Sequence, residues 1–184
     1  MPFRKFANPE TNLFPEIRNT FNETGKIEPL HLWAILKWKA NRAALRHRER
    51  LQELHGDFSN ATAKLANSLH TAQSDQLRMA ALMSERFGFR LPTASAILTV
   101  LYPERFTIYD YRVCSQFPEP HDGEFAKLQH RRYSPGLWSD YEKFRQLVIE
   151  FTPEDITELR DADHYLWGRS WAKDASRDLS LPFP

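Results

Sequence analysis

Apolar residues recur along most of the chain at steps of three and four, the spacing of amphipathic helices. In NLFPEIRNTFNE the apolar face passes through Leu13, Ile17 and Phe21, and Gly25 ends that helix. Glu28-Pro29 opens a long helix or a bent pair that runs to Gly56. FSNATAKLANSLH turns Phe58, Leu65 and Leu69 inward. Ser74 is placed to cap DQLRMAALMSERF, with Leu77, Ala81 and Met83 as its inward residues. Pro92 suits the first turn of TASAILTVLY, and Pro103 separates that helix from TIYDYRVCSQF. Residues 118–136, PEPHDGEFAKLQHRRYSPG, read as a loop or hairpin, and LWSDYEKFRQLVIEF as a helix. Thr152 and Pro153 are expected to start a helix over PEDITELRDADHYLWGRSWAK, in which Leu166 and Trp171 read as core anchors. The tail DASRDLSLPFP is expected to pack as an extended strap or to fray. RFTIYDYRV is ambiguous between strand and helix, and no other stretch suggests a strand. The pattern predicts an all-α protein, one domain over residues 1–184 or two small lobes sharing a core with a cleft.

Composition narrows the classes of function. With 184 residues, 41% of them hydrophobic, the chain can bury a sizeable core, yet no run of about 18 apolar residues could span a membrane. The N-terminal segment lacks an apolar signal-peptide core. The lone Cys114 excludes an internal disulfide and any four-cysteine zinc or iron–sulfur site. The expectation is a reduced, cytoplasmic protein, monomeric, without metal, cofactor or membrane partner.

Net charge is only +1, but it is unevenly spread. KWKANRAALRHRER, residues 37–50, holds six Lys or Arg against one Glu; residues 150–163 hold six acids against Arg160. Lys39, Arg42, Arg46 and Arg50 follow at steps of three, four and four, so on one continuous helix they would share a face. That face is either a phosphate-tracking stripe or merely solvated, and the neighbouring Trp38 either stacks on a base or belongs to the core. Arg131, Arg132 and Tyr133 form a second basic and aromatic cluster. The acids of DADH and HDGE lack a metal-ligand spacing and read as hydrated faces.

The segment FGFRLPTASAILTVLYPERFTIYDYRV carries more. Thr93-Ala94 opens TASAIL, Asp110 lies seventeen residues after Thr93 in YDYRV, and Gly88 precedes both. Over roughly residues 86–117 this resembles the helix-hairpin-helix DNA glycosylases. In those proteins an LPGVG hairpin leads into a helix that begins with Thr-Ala, and a catalytic Asp follows at that distance. LKWKANRAA also resembles a WKSPR motif in uncharacterised proteins that share the hairpin pattern. The resemblance implies an all-α, glycosylase-like fold binding double-stranded DNA, with a base flipped from the stack. It implies that Gly88, Arg90, Thr93 and Arg112, with Lys39, Arg42 and Arg46, contact DNA. It implies that Asp110 acts on the sugar, with Tyr109, Tyr111, Trp38 and Trp167 near the base. A carboxylate there would stabilise oxocarbenium character as the base–sugar bond breaks and would orient water.

This chain departs from the pattern at Arg90, where the second hairpin glycine is expected, and at Pro92, where bifunctional members carry a Schiff-base lysine. The implied activity is therefore a monofunctional N-glycosylase of base excision repair. The alternatives are a non-catalytic DNA-binding descendant and a helical interaction protein. Asp110 has an alternative reading of its own, as the N-cap of an element beginning at Tyr111.

Overall fold

TASAILTV, small and apolar residues with no charge among them, can be surrounded on every side. It becomes the central helix. The computed structural model describes residues 4–183. Among these, every helical position of α8 (Leu91–Leu101) except Pro92 is buried. Around α8 pack α3 (Phe14–Thr24), α4 (Pro29–Ala40) and α7 (Asp75–Met83); α5 (Ala44–His55) and α6 (Phe58–Thr71) lie against α4 and one another. Two short turns, α1 (Arg4–Ala7) and α2 (Pro9–Asn12), precede α3. Beyond α8 come the single turn α9 (Tyr111–Cys114), then α10 (Pro135–Glu150) and α11 (Leu159–Leu179), with α11 packed on both. Among the described residues there is no strand. The all-α expectation holds.

Several element ends follow from residues visible in the sequence. Leu13, Ile17 and Phe21 are buried, and Gly25 closes α3 in the left-handed conformation (φ 67°). The Ser74 hydroxyl accepts from the Leu77 amide at 3.2 Å, as an N-cap should. The long basic segment resolves as a bent pair, broken at residues 41–43.

Other expectations are corrected. In α7 the fully buried residues are Met79 and Leu82; Met83 packs against the core as expected, while Leu77 is half exposed. The last helix starts at Leu159 rather than after Thr152, because the Thr152 hydroxyl donates back to the carbonyls of Val148 and Ile149 and so closes α10. The tail from Asp174 to Leu179 is helical, the end of α11. Leu166 is a core residue, but Trp171 is 56% exposed. The 118–136 loop holds one 3₁₀ turn (Leu128–His130) and buries Phe125 and Leu128.

Residues 106–110 belong to no helix and have no neighbouring strand, so their backbone groups need other partners. Three helices supply them. The Tyr141 hydroxyl on α10 accepts from the Thr107 amide (3.1 Å) and donates to the Thr107 carbonyl (2.7 Å). Asp163 on α11 accepts from the Ile108 amide (3.4 Å), and Ser95 on α8 accepts from the Tyr109 amide (3.0 Å). The strap so held delivers Asp110 to α9.

A second network ties the beginning of the described chain to its end. One Glu10 oxygen accepts from Arg160 (2.7 Å) and is paired with His164 Nε2 (2.9 Å). Burial works against the Glu10 carboxylate, but His164 and Arg160 outweigh it and lower its pKa to about 2. A folded-state pKa below the unfolded value stabilises the fold above about 4.5 and is lost as pH falls towards 2. Glu10→Gln is expected to cost about 1–2 kcal/mol at pH 7, after allowance for solvent screening. In urea titrations at stepwise lower pH, the gap from the parent protein should close between about pH 4.5 and 2. A gap that stayed constant with pH would show that the network does not stabilise the fold through the charge.

Candidate nucleic-acid interface

Between α7 and α8 the chain must reverse, and Gly88 allows it. The Gly88 amide donates to the Ser84 carbonyl (2.7 Å) and the Phe89 amide to that of Leu82 (3.1 Å), with Gly88 at φ 66°. A side chain at Gly88 would also collide with Arg50, whose guanidinium carbon would stand 2.2 Å from the added Cβ. The turn thus seats Arg50 of α5 against the hairpin backbone.

Around this turn lies a hollow of about 610 Å³. Arg50, Arg90, Arg131 and Arg132 line it together with Tyr133, over a floor that includes Leu54, Met83 and Phe89. One carboxylate, Glu85, is present in the lining. Arg131 is paired with Asp140, and Arg90 donates to the carbonyls of His130 and Arg131, which ties the hairpin to the 131–133 segment. Among the described residues neither Arg50 nor Arg132 has a carboxylate partner. The Tyr133 hydroxyl donates to the Gln76 carbonyl (3.3 Å), which orients its ring. His47, one turn before Arg50 and tilted against Phe89, is held below its ordinary pKa, by burial first and then by the charges of Arg46 and Arg50.

Asp110 lies in a different setting. Its Oδ1 accepts from the Arg112 amide (3.0 Å), so it caps α9, and its Oδ2 accepts from Lys39 Nζ (2.9 Å). The Lys39 and Asp110 side chains are 15% and 21% exposed. Asp110 lines neither the basic hollow nor the hollows beside Glu104, Leu13 and Glu10. Lysine was absent from the neighbouring sequence, but one reaches Asp110 from α4.

No family model matches this chain, and no curated protein or solved structure is significantly similar to it. The resemblance around Thr93 and Asp110 therefore rests on the residues that carry it.

The other sequence-predicted positions separate into groups. The helix break divides the expected basic stripe: Lys39 pairs with Asp110, Arg42 is exposed in the turn, and only Arg46 and Arg50 share a face of α5. Thr93 is 7% exposed inside α8 and does not line the basic hollow. Tyr109 is fully buried, donating to the Phe125 carbonyl (2.5 Å), and burial raises its hydroxyl pKa. Trp38 is half-buried, with Phe14 edge-on (4.9 Å) and the Arg160 guanidinium over its ring (5.5 Å). Tyr109 is closed to a base, whereas Trp38 lines a separate hollow beside Trp33 that Asp110 does not line. Tyr111 and Trp167 are exposed, and Arg112 stands 5.4 Å and 5.9 Å from their ring centres, anchored by Asp174 (2.5 Å). Cys114 is buried, and burial pushes its thiol up to about 12, so it stays protonated and unreactive.

Arg50 and the Arg131–Tyr133 cluster were each visible as basic residues. Their meeting was not, because the contact joins segments far apart in the chain and depends on the backbone turn at Gly88.

Proposed function

We propose that this protein binds DNA through the hollow beside Gly88, as a non-catalytic relative of the helix-hairpin-helix glycosylases. The observation that carries the reading is the convergence of four guanidinium groups, from three separate segments, on a lining with one carboxylate. Guanidinium forks match phosphate oxygens, and in this site arginine does what the missing second hairpin glycine would otherwise permit the backbone to do. The exposed Tyr111–Arg112–Trp167 face offers planar surface of the kind that stacks on bases.

In this reading Asp110 belongs to the fold. Both of its oxygens are engaged, one by an amide of α9 and one by Lys39. A second reading, excision of a damaged base by Asp110, keeps one observation in its favour: the carboxylate retains a fifth of its surface and adjoins the exposed Tyr111.

A single experiment addresses both. Fluorescence anisotropy with duplex DNA at rising salt should give affinity that falls steeply, by several decades per decade of salt if several phosphates are held. Affinity indifferent to salt, or no retention of DNA at low salt, would remove the binding reading. The parent protein and Asp110→Asn, run in parallel on a panel of lesion-containing duplexes, are expected to bind alike and release no base. Release by the parent alone would establish the excision reading instead.

A further inference from the structure

The basic hollow is a chamber rather than a stripe, and that shape restricts what it can hold. A protein that tracks a nucleic-acid backbone spreads its cations along a line, one for each singly charged phosphodiester. Here Arg50, Arg90, Arg131 and Arg132 face one volume. Among the described residues neither Arg50 nor Arg132 is ion-paired with a carboxylate, and Glu85 is the one acid that shares their lining. Like charges that face one hollow repel, and a doubly charged anion relieves more of that repulsion than a singly charged one. A phosphomonoester carries about 1.5 to 2 negative charges at neutral pH and presents three terminal oxygens to the guanidinium forks.

The size and floor of the chamber add the second restriction. A phosphate alone does not need about 610 Å³, a volume within the range of organic-ligand sites. Leu54 and Met83 give the hollow apolar surface, and Tyr133, held by the Gln76 carbonyl, adds an oriented ring. These suit a sugar and base next to the phosphate. At the end of a strand that nucleotide lacks one stacking neighbour, so its flat face is free to meet a protein surface.

We infer that the hollow beside Gly88 receives the phosphorylated end of a nucleic-acid strand, gripping a terminal phosphomonoester and packing the last nucleotide against Leu54 and Tyr133. This rests on the nucleic-acid reading above and names the part of the molecule that is held.

The test uses the full chain and labelled oligonucleotides of one sequence, single-stranded and duplex, bearing a 5′-phosphate, a 3′-phosphate or hydroxyl ends only. One phosphorylated form is expected to bind at least tenfold tighter than the hydroxyl form in anisotropy titrations. Arg50→Gln and Arg132→Gln alter exposed side chains and should keep the helical circular dichroism of the parent. Each should weaken binding of the phosphorylated form more than that of the hydroxyl form, shrinking that advantage several-fold. Equal affinity for all ends, still salt-sensitive, would overturn the inference and leave DNA binding standing. No binding of any oligonucleotide would overturn both. Two competitors separate the sources of the phosphate: a nucleoside 5′-monophosphate that displaces the oligonucleotide at equal concentration would make the ligand a free nucleotide. A phosphopeptide that binds more tightly than every oligonucleotide would make it a protein. Either result overturns the strand-end assignment.

Discussion

Replacing Arg50, Arg90 and Arg132 together by Gln is expected to weaken duplex DNA binding on the order of 100-fold near physiological salt, at about 1 kcal/mol for each charge-assisted hydrogen bond removed. The slope of log affinity against log salt should become shallower by about two to three, since each cation removed releases one fewer counterion. Arg50 and Arg132 are exposed and unpaired, and Arg90 gives up two exposed bonds to the His130 and Arg131 carbonyls, so the melting temperature should fall by only a few degrees. The control is Arg42→Gln with Arg46→Gln. Those residues lie in the sequence-predicted stripe but outside the hollow, and their replacement should cost less than tenfold. If the control pair proved the more damaging, DNA would lie along the α5 face and not in the chamber.

The largest effect on stability is expected at Asp163. Its side chain is 3% exposed, it accepts from the Ile108 amide, and it pairs with Arg160. Burial raises its pKa, against the attraction of Arg160, so the charge is held at a cost that only these partners offset. Asp163→Ala leaves the Ile108 amide without an acceptor and opens a small void, for a loss of about 3 kcal/mol. Asp163→Asn keeps an acceptor and the volume while removing the buried charge, and should lose about 1 kcal/mol or less. Urea unfolding followed by circular dichroism separates the cases. Equal losses for Ala and Asn would mean that the charge, not the acceptor, is what Ile108 and Arg160 require.

The parts of this fold legible in sequence are those decided by near neighbours. Ser74 caps α7, Pro92 starts α8, and Gly25 and Gly56 end helices because each acts on a backbone group within one turn. The start of α11 shows the limit of that logic. Thr152 has the composition of a forward cap, but its hydroxyl bonds the carbonyls of the helix just ended. The basic stripe fails for a related reason. Periodicity assumes one helix, and the break at residues 41–43 sends Lys39 to Asp110 while Arg50 goes to Gly88.

The candidate site is less legible still. Gly88 and Arg90 are visible through the resemblance, and Arg131, Arg132 and Tyr133 as a cluster in a loop. What no local rule could supply is that the loop folds back onto the hairpin, through Arg90 and the carbonyls of His130 and Arg131. Asp110 stands out on both of its readings, and the cap geometry follows from its place before Tyr111. The Lys39 partner, seventy-one positions earlier, comes only with the tertiary arrangement.

In the strap at residues 106–110 three successive amides, of Thr107, Ile108 and Tyr109, are each held by a different helix. A shift of one position would offer Tyr141, Asp163 and Ser95 the wrong partner all at once. The size of the side chains is constrained as well, since Phe106, Thr107, Ile108 and Tyr109 are all buried. An inserted or deleted residue here would therefore misalign the whole crossing from α8 to α9, whatever its side chain.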